Sequence, residues 1–266
     1  MNRGKNSKLS QFLQKDRKTV IVPLDHGTAI PVTGMESPAA LIESLSPHVD
    51  GFVVNLGVAM ACRDALDDKG VCLRIDCYKP VHGENPDEGC YRLYGPDEVE
   101  ACGAHAMMNM LYPHHRNEAE IFRECAEAIA EGIEAEVPVI VETLPYGIGR
   151  PKDYTVENIG FAVRAAAELG ADIVKTAFPT GAGVDDFRRI VESCFVPVIV
   201  LGGAAMGDDH ALLKMVRDAM DAGAAGIAVG RNVWQHANPP KIAEALAAVV
   251  HENASVDEAL SILQEV

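Results

Sequence analysis

Short aliphatic runs alternate along this chain with longer stretches in which apolar residues return at helical spacing. That alternation is the signature of repeated strand–helix units on a parallel sheet, whose strands are buried on both faces and so are almost wholly apolar. The runs predict strands over Val20–Leu24, Gly51–Asn55, Val71–Asp76, His105–Met110, Val137–Thr143, Asp172–Thr176, Val196–Leu201 and Gly226–Val229. The amphipathic stretches predict helices that include Asn117–Glu134, Thr155–Leu169, Asp185–Ser193 and Asp208–Ala222. Gly170 and Gly223 each close a helical stretch just before an alanine and a strand, as a C-terminal glycine cap requires. Eight such units in 266 residues fit an α/β fold, a single-domain (β/α)8 barrel, better than an open doubly wound sheet. Residues 1–18 are expected to be an extension whose short helix, Ser7–Gln14, closes the bottom of the barrel. Residues 19–250 form the barrel and 251–266 a C-terminal helix. Residues 77–96, rich in Gly, Pro, Asp and Glu, read as a long loop on the catalytic face.

Composition narrows the class. Hydrophobic residues make up 48% of the chain, ample for a large core. No uninterrupted apolar run is long enough to span a membrane. The basic N-terminal segment has no apolar stretch of the kind a signal peptide carries, so a cytoplasmic location is expected. A formal charge of −16 opposes binding to nucleic acid or to anionic membranes. A phosphorylated ligand therefore requires a local positive pocket set against the global field. The seven cysteines form no CxxC pair, and their odd number argues against a full disulfide framework. Neither Cys72, Cys77 and Cys90 nor the His114–His115 pair has a recognised zinc spacing, so no metal and no other cofactor is expected.

Candidate chemistry sits where the strands end, since the active sites of this fold lie at the C-terminal face. Lys175 ends the sixth run, in Gly-Ala-Asp-Ile-Val-Lys. An ammonium on a buried strand must be paired or neutralised, and burial favours the neutral amine, a nucleophile able to form a Schiff base with a carbonyl. A surface lysine opening a loop is the simpler alternative. The seventh and eighth strands run into Gly202-Gly203 and Gly230-Arg231. Glycines there let backbone N–H groups approach a phosphate, and Arg231 adds a charged fork; otherwise the glycines serve only as tight turns. The first strand ends in Asp25-His26-Gly27. Asp25 suits a proton shuttle, an iminium stabiliser or a turn cap, and His26 a proton shuttle or a group orienting Asp25. The fifth ends in Glu142-Thr143-Leu144-Pro145-Tyr146-Gly147, where Glu142 or Tyr146 reaches the site or Tyr146 packs the rim. Lys79, His114 and His115 fall on rim loops.

Taken together, Val-Pro-Leu-Asp-His-Gly, Gly-Ala-Asp-Ile-Val-Lys, Val-Leu-Gly-Gly and Ala-Val-Gly-Arg-Asn-Val-Trp-Gln-His-Ala-Asn-Pro resemble the archaeal-type class I aldolases of the DhnA group, in the DeoC/LacD-like superfamily. The resemblance implies that Lys175 forms the Schiff base, that Asp25 is the first-strand aspartate, and that Gly202, Gly203, Gly230 and Arg231 hold phosphate. It implies fructose 1,6-bisphosphate as substrate, no cofactor, and a homo-oligomer. A synthase of the 2-amino-3,7-dideoxy-D-threo-hept-6-ulosonate type, a thiolase-like acyl transferase and a noncatalytic sugar-phosphate-binding barrel are the alternatives. One position departs from the pattern. Relatives that cleave fructose 1,6-bisphosphate typically end the fifth strand in Tyr-Pro-Arg-Gly or a similar sequence, with the tyrosine transferring the proton. Here Leu144 precedes the proline and Tyr146 follows it, so Tyr146, Glu142 or His26 must take the role.

Overall fold

The computed structural model describes residues 3–30, 32–78 and 90–264. Its strands are β1 (Thr19–Pro23), β2 (Gly51–Val54), β3 (Gly70–Arg74), β4 (Asp76–Tyr78), β5 (Cys90–Arg92), β6 (Ala106–Leu111), β7 (Val139–Thr143), β8 (Ile173–Thr176), β9 (Val198–Leu201) and β10 (Gly226–Ala228). Eight of them close a barrel in the order β1-β10-β9-β8-β7-β6-β3-β2, and every pairing is parallel. This is the single-domain α/β barrel the alternation predicts. Helices Glu118–Glu134, Val156–Leu169, Val184–Ser193 and Asp209–Asp221 fall within a residue of the expected bounds. Thr155 and Asp208 cap two of them, their side chains accepting from Asn158 N at 3.2 Å and Ala211 N at 2.9 Å. Gly170, with φ of 110°, ends the second as expected. At the C-terminal end, helix Pro239–His251 is followed by helix Val256–Gln264.

Two elements differ from expectation. The N-terminal helix spans Arg3–Leu9, not Ser7–Gln14. Past Leu9 the chain turns so that Phe12, fully buried, joins the inner barrel residues Ile21, Val53, Cys72, Met108, Ile140 and Ile173. Burying one aromatic ring is worth about 1.5–3 kcal/mol, more than a further helical turn supplies. The bottom is thus closed by a side chain plug. A Cβ on Gly70 would lie 2.7 Å from the Phe12 ring, so glycine there makes room for the plug. The second difference is at Ile75, where the run Val71–Asp76 breaks: β3 stays in the barrel, and β4 pairs antiparallel with β5. The expected long loop thus begins and ends as a hairpin, with 79–89, Lys79 included, outside the described residues. Among the described residues no helix is long and apolar enough to cross a membrane.

His251 fastens the last strand–helix unit to the start of the chain. Its Nδ1 lies 2.8 Å from Asp16 Oδ2 and its Nε2 3.0 Å from Asp50 Oδ2, an oxygen that also accepts from Val20 N. The hydrogen bond to Asp50 raises the His251 pKa above its ordinary 6.5; burial opposes this and Asp16 reinforces it. A raised histidine contributes fully below the unfolded value and loses that contribution as pH climbs through the folded one. His251→Ala is therefore expected to be less stable than wild type by about 1 kcal/mol near pH 6, about 2–4 °C in Tm, with the gap closing toward pH 9. Calorimetry across that range checks this; a gap that ignores pH would assign the effect to packing alone.

Candidate active site

Inward-facing residues change character toward the C-terminal ends of the strands. Above the apolar layer sit Arg74 on β3, Glu142 on β7 and Lys175 on β8, with Asp25 just past β1; all four are buried. The β7–β8 register sets Glu142 beside Lys175, and Lys175 Nζ lies 3.0 Å from Glu142 Oε2. Arg74 Nη2 donates to the same oxygen. Arg74 Nε donates to Asp25 Oδ2 at 2.7 Å and Nη1 to Asp76 Oδ1 at 3.3 Å. Asp76 Oδ2 accepts from Met110 N at 2.5 Å and from Cys90 Sγ at 3.3 Å.

The charges set the ionisation. Burial works to raise the Asp25 carboxyl, but Arg74 first, then His26 and Lys175, hold it down at about 2. Burial likewise opposes ionisation of Glu142, and Lys175 and Arg74 outweigh it, leaving the carboxyl below its usual range. Asp76 goes the other way, raised by burial. Burial first, then Lys175 and Arg231, lower His26 and outweigh the upward pull of Asp25 and Glu142, so it is neutral near pH 7.

A cavity of about 610 Å³ opens above this cluster. His26, Glu142, Lys175, Gly202, Gly203, Gly230 and Arg231 all line it. Asp25 does not; it lies beneath, in the Arg74 ion pair, and its backbone carbonyl accepts from Asn55. His26 Nδ1 sits 3.4 Å from Asp25 Oδ1 without forming a hydrogen bond. Tyr146 is also absent from the lining. With φ of 63° it turns its ring against His114, centroids 5.2 Å apart, as the rim-packing alternative anticipates. Tyr154 lines the cavity instead, its hydroxyl donating to Gly147 O at 2.8 Å. His114 is exposed and stacks on Phe161, while His115 is buried with Nδ1 accepting from Asn117 N.

At the other end the loops after β9 and β10 are held open. Asn232 Nδ2 donates to Gly202 O at 3.0 Å and Ala204 O at 3.1 Å, and its Oδ1 accepts from Met206 N at 2.7 Å. Trp234 Nε1 donates to Pro23 O, tying this corner to the end of β1. Arg231 Nε is buried without a hydrogen-bond partner among the described residues. Such a cationic, glycine-lined corner suits a phosphate. Among the described residues no cluster of three or more His, Cys, Asp or Glu is arranged for a metal ion. A separate groove of about 720 Å³, between residues 92–98 and Glu131–Ala135, contains none of the candidate residues.

Sequence reasoning missed Arg74, Asp76, Asn232 and Trp234. Arg74 carried a readable signal: an arginine inside an aliphatic run poses the same buried-charge problem as Lys175.

The sequence matches the profile of the DeoC/LacD family aldolases over residues 19–236. It is 31% identical over 259 residues to a 2-amino-3,7-dideoxy-D-threo-hept-6-ulosonate synthase of Archaeoglobus fulgidus, covering 97% of this chain and 95% of that one. Identity to a class 1 fructose-bisphosphate aldolase of Halobacterium salinarum is 32% over 259 residues, covering 93% and 96%. A solved archaeal fructose-1,6-bisphosphate aldolase, its catalytic lysine covalently bound to the carbinolamine intermediate of the substrate, superposes with a TM-score of 0.81 at 26% identity, covering 92% of this chain and 99% of that one.

A Cβ on Gly230 would meet Pro23 O at 2.8 Å and His26 Cε1 at 3.0 Å, so the corner admits no side chain at that position. Gly230→Ala is expected to cost about 1–3 kcal/mol in urea unfolding through overpacking. Gly57→Ala, whose Cβ meets open space, should not lose stability.

Proposed function

The chain belongs to the DeoC/LacD family of aldolases, and from that premise we propose that it makes or breaks a carbon–carbon bond beside the carbonyl of a ketose phosphate, through a Schiff base on Lys175. The observation that carries the reading is the Lys175–Glu142 pair at 3.0 Å on the cavity floor. Glu142 accepts the ammonium proton, and the freed amine attacks the carbonyl carbon to give a carbinolamine. Glu142 returns the proton to the departing hydroxyl, so water leaves and a protonated imine remains. The same carboxylate then takes the proton from the hydroxyl on the carbon beyond the scissile bond. That O–H pair becomes the new C=O, the C–C pair flows into the iminium, and an enamine is left on Lys175. Protonation of the enamine and hydrolysis of the imine release the three-carbon ketone phosphate. The Gly202–Gly203 and Gly230–Arg231 corner anchors the phosphate and so holds the carbonyl against Lys175, turning binding into orientation. His26, neutral and on the same wall, is a second site for proton exchange.

Fructose 1,6-bisphosphate, giving dihydroxyacetone phosphate and glyceraldehyde 3-phosphate, is the first substrate this reading names. A specific observation favours a second: among the described residues the cavity is lined by no lysine or arginine besides Lys175 and Arg231, and its lining includes Leu144, Ile148, Pro151 and Phe178, which suits a ketose phosphorylated at one end only.

Two measurements test these readings. Borohydride reduction with dihydroxyacetone phosphate should add a stable adduct mass to wild type and none to Lys175→Met; no adduct on wild type would end the Schiff-base reading. kcat/KM for fructose 1,6-bisphosphate and fructose 1-phosphate, measured side by side, decides between the substrates. A preference of about tenfold or more, equivalent to ~1.4 kcal/mol, is expected for whichever distal end the wall accommodates.

A further inference from the structure

Among the described residues Arg74 heads the largest fully buried side chains, yet it takes no part in the steps above and does not line the cavity. Its planar fork is spent on three carboxylates from three places in the barrel: Asp25 past β1, Asp76 on β4 and Glu142 on β7. Of these, only Glu142 faces the cavity. The oxygen of Glu142 that Arg74 holds is the one that faces Lys175 Nζ.

That shared oxygen has a chemical consequence. Were Lys175 its only countercharge, Glu142 would take the ammonium proton and keep it, because a lone buried carboxylate is costly. With a second, permanent cation on the same oxygen, the carboxylate stays charged after Lys175 has become neutral, and it can pass the proton on. Arginine suits this task because it does not itself give up a proton. Lys175, by contrast, must change charge in every cycle. Asp25 and Asp76 take up the other nitrogens, so the guanidinium has no freedom to follow the substrate.

Resting on the proposed Schiff-base reading, we infer that Arg74 is a positioning residue: through Glu142 Oε2 it fixes the carboxylate that moves protons between Lys175 and the substrate. The groups facing Glu142 are Lys175 on β8, Arg74 on β3, Asp25 and His26 after β1, and Asp76 on β4. Tyr112 and Tyr154 lie near enough to feel its charge.

The test is the pH profile of kcat/KM for the full chain and for Arg74→Lys and Arg74→Gln. Withdrawing the guanidinium removes support from the Glu142 anion, so the acid limb should move to higher pH by about one unit or more, as an opposite charge at contact distance commands. Glu142→Gln should lose about a hundredfold or more in kcat/KM, and its residual rate should lack that limb. Rates that fall equally at all pH, with the limb unmoved, would reduce Arg74 to a structural residue and overturn the inference. Should neither Arg74 variant fold, the infrared difference at pH 6 between Lys175→Met and Lys175→Met/Glu142→Gln decides, because it reads Glu142 with the lysine charge gone. An ionised-carboxylate band supports the role, and a protonated-acid band overturns it. Borohydride trapping on wild type separates the two levels: a trapped adduct with an unmoved limb sinks only the role of Arg74, while no adduct sinks the Schiff-base reading beneath it.

Discussion

An ammonium cannot be left alone at the end of an aliphatic strand, and the upper half of this barrel is arranged around that constraint. Lys175 is 4% exposed. Its effective desolvation penalty is several kcal/mol, and removing one partner of such a pair typically costs 3–5 kcal/mol because the other charge stays buried. Glu142 meets Lys175, but a buried carboxylate brings its own penalty, which Arg74 offsets. Arg74 in turn is balanced by Asp25 and Asp76, and Asp76 is fixed by the backbone of β6 and by Cys90. The chain of pairings ends where backbone and hairpin begin. It depends on register: strand side chains alternate faces, so a one-residue slip of β7 against β8 would send Glu142 into the helix layer.

The barrel's closure and the anion corner are built from the same contacts. Trp234, in the short helix after β10, reaches the last carbonyl of β1, while Asn232 beside it grips the loop after β9. Three consecutive barrel strands are thereby locked at their C-terminal ends. The glycines at 202 and 230 sit inside this lock, with no room for side chains. Against a formal charge of −16, a phosphate would be drawn here by local geometry, namely N–H groups and the Arg231 guanidinium, and not by the field of the whole molecule.

The sequence announced most of this in proportion to how local each signal was. Strand runs, glycine caps and the lysine on β8 are legible because periodicity and burial act over a few residues. The loops at 202–203 and 230–231 are legible because glycine marks close approach. What escaped is what depends on contact between distant strands. Nothing local says that Asp25 will spend its carboxylate on Arg74, 49 positions away, or that Phe12 will enter the barrel and end its own helix early. Tyr146 was ambiguous for a related reason: the side of the turn it faces is decided by a left-handed backbone and by His114, which lies on the neighbouring rim loop.

The departure at the end of β7 gains a physical sense from the pleat. Set on its proline against the Tyr-Pro-Arg-Gly pattern of the resemblance, Leu144 takes the place of the tyrosine, and it lines the cavity, buried. A leucine transfers no protons. Residues 142 and 144 project from the same face of an extended chain, so on the proposed reading the task moves one pleat down the strand, to Glu142. A carboxylate placed there suits the whole cycle. The protonated imine carries the same single positive charge as the ammonium it replaces, at nearly the same point. Glu142 thus stabilises both without reorganising, which is how a preorganised charge lowers a barrier in a dry site. Only the neutral amine breaks the symmetry, and at that moment Arg74 still holds the oxygen.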